Sequence, residues 1–212
     1  MQALDRIDFS NNWLTPVFVF ALLLLVVLKI SNQQKLSGYF SAIFIKGFII
    51  KKTEERESLF NTFDIVLLCF SAIIYAVFFS VIAELFLDVT ASFTVFVSVL
   101  SIVVAYLILS LVLDVGMANL FEVQNETSYL FLTKIAYLYN TALILFPVLI
   151  ITTYSSLGVA VLFVVFALFF LLSMLLLFVN NKNLILNKLF YFILYICALE
   201  IAPLLFIYKM MA

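Results

Sequence analysis

The chain has 212 residues, 67% of them hydrophobic and 11% charged, with a formal net charge of −1, whereas a soluble domain is about half apolar and about a quarter charged. No soluble fold of this size hides so much apolar surface, and the charge balance offers nucleic acid no basic face. There is no His, which excludes His-ligated haem, His-containing zinc sites, Ser-His-Asp triads and Cys-His pairs.

The two cysteines, Cys69 and Cys197, lie in separate apolar runs and read as small core hydrophobes. No metal or cofactor is implied. A transmembrane β-barrel needs short alternating segments with frequent turns. Here Leu157 to Val179 and Val89 to Leu113 run uncharged over 23 and 25 residues, enough for a helix to cross a bilayer with its backbone groups satisfied internally. The fold class predicted is therefore an all-α transmembrane bundle in one integral membrane domain, residues 1–212. Its six spans are Trp13 to Leu28, Ile65 to Ala83, Val89 to Leu113, Ile135 to Thr153, Leu157 to Val179 and Leu189 to Tyr208.

The first run follows an acidic start with Asp5 and Asp8, lacks a small-residue cleavage site, and has its positive charge after it, at Lys29 and Lys35. It reads as a retained helix with its N-terminus outside. Next, Leu36, Tyr39, Phe40, Ile43, Phe44 and Phe48 recur at helical spacing opposite Lys35, Ser37, Ser41, Lys46 and Lys51. This predicts an amphipathic helix over about 35–50, lying in the inner interface or docking a partner. Glu54, Glu55 and Glu57 interleave with Lys51, Lys52 and Arg56 as a solvated, ion-paired face. Asp64, Glu84 and Asp88 read as charges at the boundaries of the second span.

Between the third and fourth spans, Gly116 to Leu132 mixes polar and aromatic residues. It predicts a short interfacial helix broken near Asn125 and restarted by Thr127 or Ser128 as an N-cap. On the third span Tyr106, Ser110 and Asp114 share a face, as do Lys134, Tyr137, Asn140, Thr141, Ile144 and Pro147 on the fourth. Facing stripes would pair Asp114 with Lys134 at the boundary, with Asn140 and Tyr106 above. Such interhelical bonds average about 0.6 kcal/mol, which reads as packing glue, with a cytoplasm-facing cavity as the alternative.

On the last span Glu200 lies eleven residues beyond Leu189, roughly 17 Å deep at 1.5 Å per residue. An ionisable group at that depth is costly and is a functional candidate by default. Tyr75 and Ser101 fall near its level and are its expected hydrogen-bond partners. Pro203 and Pro147 are expected helix breaks, each removing one donor.

Nine of the eleven Lys and Arg fall on one side of this topology, with only Arg6 and Lys209 on the other. That asymmetry predicts an N-out, C-out arrangement. The run Tyr191-Phe192-Ile193-Leu194-Tyr195-Ile196-Cys197-Ala198-Leu199-Glu200-Ile201-Ala202-Pro203-Leu204-Leu205 resembles the closing signature of a family known as domain of unknown function 4271. Tyr139-Asn140-Thr141 with Pro147 is similar to its central helix. The resemblance covers nearly the whole chain and implies a multi-pass protein of the bacterial inner membrane, of the Bacteroidetes type. It gives added weight to Glu200, Pro203 and Asn140, and has no established activity to carry over.

The functional expectation is a non-enzymatic scaffold or accessory subunit of a cell-envelope assembly, in contact with lipid and with a membrane-protein partner or further copies of itself. A small transporter or lipid-intermediate carrier using Glu200 and the Asn140 stripe is the alternative. An intramembrane enzyme is a third reading, opposed by the depth separating Asp114 from Glu200.

Overall fold

A computed structural model describes residues 13–42, 61–87, 92–120, 124–155 and 160–180. Among these residues there are six α-helices and no strands: α1 (Leu14–Ser31), α2 (Gln33–Phe40), α3 (Thr62–Leu87), α4 (Phe93–Leu120), α5 (Gln124–Tyr154) and α6 (Ala160–Asn180). Four are long and apolar enough to cross a membrane, over Leu14–Ser31, Thr62–Glu84, Phe93–Val112 and Leu132–Tyr154, and Val161–Leu177 in α6 is a shorter apolar helix. The protein is an all-helical membrane protein, as its composition dictates. The sixth predicted span, with Glu200 and Pro203, lies outside the described residues.

The first span tolerates Pro16 because it sits in the opening turn, where its missing N–H has no intrahelical acceptor to lose. At the other end Asn32 adopts an extended backbone, φ −160° and ψ 94°, and donates its N–H to the Leu28 carbonyl. The same residue accepts the Lys35 N–H on its side chain at 3.0 Å and so N-caps α2. One residue thus closes one helix and opens the next, forming a tight elbow.

The helix predicted over about 35–50 therefore begins earlier, at Gln33, and ends at Phe40 in a turn at Ser41 and Ala42; residues 43–50 lie outside the described residues. The segment after Gly116 differs as well. The chain is helical to Leu120 and again from Gln124, with no break at Asn125 and no N-cap at Thr127 or Ser128. Both α4 and α5 are longer than the hydrocarbon thickness requires. At 1.5 Å per residue they measure roughly 42 and 46 Å against a core of about 30 Å.

Helices α3 and α5 form the centre, each 56% buried over its apolar window, against 22% for α1 and 17% for α4. The layer between them is aromatic and aliphatic. Phe70 meets Phe146 edge-on at 5.6 Å, Phe18 of α1 meets the same ring at 6.4 Å, and Phe78 packs on Phe166 of α6 at 4.4 Å. Leu67, Ile74, Leu145 and Leu149 fill the remaining space and are fully buried. The outer faces of α1, α4 and α6 carry exposed residues such as Val19, Leu23, Ile102, Ile108, Val164 and Leu171, the surface that lipid tails solvate.

Cys69 is exposed on α3, not part of a packed core; Cys197 lies outside the described residues. Pro147 sits inside α5, which continues to Tyr154, so the break expected there does not interrupt the helix. The ring points to the exposed side, where it displaces no packed neighbour.

Candidate functional site

Buried polar side chains gather where α2 meets the start of α3 and the middle of α5. Asp64 stands in the first turn of α3, where the helix macrodipole favours a negative group, and is only 5% exposed. Its carboxylate Oδ1 accepts a hydrogen bond from the Tyr39 hydroxyl of α2 at 2.6 Å. Its backbone carbonyl accepts the Tyr139 hydroxyl of α5 at 3.2 Å. The two phenol rings meet edge-on at 5.3 Å, and Tyr39 stacks on Phe63 at 6.2 Å. Phenols suit this place because each presents an apolar ring to packed neighbours and one polar tip to a partner.

Asn140 is fully buried. Its amide Nδ2 donates to the Tyr39 carbonyl at 3.0 Å and to the Phe40 carbonyl. These carbonyls belong to the last turn of α2, where no following residue of the helix supplies a donor, though the Tyr39 carbonyl also takes the Ala42 N–H of the turn at 3.3 Å. Asn140 is therefore a C-cap delivered from another helix. Its Oδ1 is buried and has no hydrogen-bond partner among the described residues. Thr141, also buried, turns its hydroxyl back to the Tyr137 carbonyl at 2.9 Å, a local bond that spares the bundle an unsatisfied group.

The stripe expected on α5 thus divides. Asn140 faces α2 and not α4, so it does not lie with Tyr106 above an Asp114–Lys134 pair. Lys134 does reach α4, where its Nζ donates to the Ser110 Oγ at 3.4 Å. Tyr106 is half-buried on α4; Asp114 belongs to the same helix, but its side chain, and with it the expected pair with Lys134, lies outside the described residues. Tyr75 is tied to α5, its hydroxyl donating to the Leu138 carbonyl at 3.0 Å. Ser101 is exposed on α4 and bonds its own helix at the Val97 carbonyl, 2.9 Å away. At the end of the bundle away from α2, Thr15 and Tyr154 join α1 to α5 through their hydroxyls at 2.7 Å.

Three residues of the polar cluster, Tyr39, Asp64 and Tyr139, are absent from the stripes drawn on the sequence. Tyr39 matched the apolar face of an amphipathic helix, and Asp64 a boundary charge. The available signal was positional, since an acid in the opening turn of a long apolar helix is already favoured by the backbone there. A tyrosine on the preceding short helix is the natural donor to it. Chemically the arrangement holds helices together: two phenols and one amide close four bonds to backbone or carboxylate, each linking elements distant in sequence.

A family model described as a domain of unknown function (DUF4271) matches residues 14–211. No curated protein and no solved structure matches the chain.

Proposed function

The chain belongs to the family of the domain of unknown function DUF4271, and from that premise we propose that it is a non-enzymatic scaffold or accessory subunit of a cell-envelope assembly in the bacterial inner membrane. The observation that carries this reading is the filled centre of the bundle. Phe70, Phe78, Leu67, Ile74, Leu145 and Leu149 are fully buried between the central helices, and Tyr75 spends its hydroxyl on a helix–helix tie. A rocking carrier needs broken helices and a site at mid-depth; here α3, α4 and α5 run unbroken past membrane thickness. The long helices α4 and α5 and the α2 helix bonded to α5 supply a platform for a partner.

In this reading six spans cross the membrane with both termini outside, and the end bearing α2 and Lys134 faces the cytoplasm. The excess of Lys and Arg assigned to that side supports the orientation. Labelling from one side of sealed vesicles is expected to find Lys51 and Lys182 together; finding them on opposite faces defeats the six-span arrangement. Extraction in a mild detergent is expected to bring down a larger partner or further copies with the chain. Consistent isolation as a monomer, with its thermal transition intact, counts decisively against the scaffold.

One observation favours the carrier instead: the buried Asn140 Oδ1 without a hydrogen-bond partner among the described residues is an acceptor inside the bundle. A carrier would work through Glu200 as well. Glu200→Gln, inserted normally, then abolishes activity, whereas a scaffold keeps its partner in that variant.

A further inference from the structure

At the elbow between α1 and α2 lies a cavity of about 800 Å³, open to the surface. Six of the seven residues that line it are polar: Lys29, Ser31, Asn32, Gln33, Gln34 and Ser37. The remaining wall is Ile30, 81% exposed. Directly along α1 from this wall run Val27, Val26, Leu23, Leu22 and Val19, all exposed. The cavity therefore opens at the end of an apolar helix face, where hydrocarbon gives way to headgroups.

We propose that this cavity binds the phosphate headgroup of an anionic phospholipid, with an acyl chain lying along the exposed face of α1. Lys29 supplies the charge complement to a phosphodiester. As a compact ammonium on a long stem, it keeps its methylenes against the apolar helix while its head stays at the interface. The amides and hydroxyls supply donors for the phosphate and glycerol oxygens. The apolar face distinguishes this occupant from free phosphate, which gains nothing from Ile30 and Val26. Lys35, the third residue of α2, does not line the cavity, so an ammonium of equal charge beside the site serves as an internal control.

Native mass spectrometry of the full chain, titrated with phosphatidylglycerol or phosphatidylcholine, tests the assignment. The wild-type chain is expected to retain phosphatidylglycerol in preference to phosphatidylcholine. Lys29→Gln lowers that retention about fivefold, the effect of one Lys at an anionic surface, and Lys35→Gln leaves it unchanged. Gln34→Glu, which sets a carboxylate in the same wall, repeats the loss and keeps the test open if Lys29→Gln does not fold. Millimolar inorganic phosphate is expected not to displace the lipid. Equal losses in the two lysine variants show general electrostatic attraction and overturn the site. Equal retention of both lipids overturns the headgroup assignment, and displacement by phosphate overturns the lipid.

Discussion

Asn140 illustrates how much one amide holds in place. It closes two carbonyls at the end of α2 from a helix a hundred residues further along the chain, so replacing it with Leu removes both bonds and leaves the Tyr39 carbonyl only the 3.3 Å bond from the Ala42 N–H. A lost buried hydrogen bond costs about 1–3 kcal/mol, and the variant is expected to melt correspondingly earlier in detergent. A cysteine at the buried Ala42, placed in a chain freed of Cys69 and Cys197, reports the same event. Maleimide reaches it slowly in the parent and quickly beside Asn140→Leu; equal rates would mean that α2 is held by something else.

The bond from Tyr39 to Asp64 is the second hook on α2. Tyr39→Phe keeps the ring contacts with Phe63 and Tyr139 and removes only the donor, and Asp64→Asn removes the charge it meets. A double-mutant cycle measured by thermal or denaturant unfolding is expected to return a coupling of about 1 kcal/mol, between the average for interhelical bonds in membranes and the value for charged acceptors. Additive single effects would show that the 2.6 Å contact contributes nothing in the membrane.

At the scale of elements, stability resides between α3 and α5. Association of helices in lipid is driven by close packing, because the tails are as apolar as the side chains. Phe70→Ala opens a cavity against Phe146 and is expected to cost about 3 kcal/mol or more. Phe20→Ala on the exposed side of α1 stays within about 0.5 kcal/mol. Unfolding in the same detergent compares them, and similar costs would displace the centre of the bundle from α3 and α5. This division is not readable from hydropathy, since α3 and α4 are equally apolar; only the tertiary arrangement makes one central and the other peripheral. Helix identity, by contrast, was plain in the uncharged runs, because length and continuity decide it. The break expected near Asn125 is absent because the helix is already under way at Gln124 and continues through it, and polar residues in a helix leave no signal that separates its first turns from a loop. Asn140 stood out in the sequence as a buried amide, while its partner could not, because two backbone carbonyls of α2 leave no mark on residue type.

For the whole molecule, the order in which the ties close follows from their spacing along the chain. Tyr39 and Asp64 are 25 residues apart, and their bond is available as soon as the start of α3 has been made. Asn140 reaches the Tyr39 carbonyl across 101 residues, which at typical synthesis speeds of about 5–20 residues per second is a delay of roughly 5–20 s. During that interval α2 is fastened at its ring, while its end has only the local bonds of the turn at Ser41 and Ala42. Final seating of the short helix is thereby a late event of biogenesis, postponed until the fourth span emerges from the ribosome.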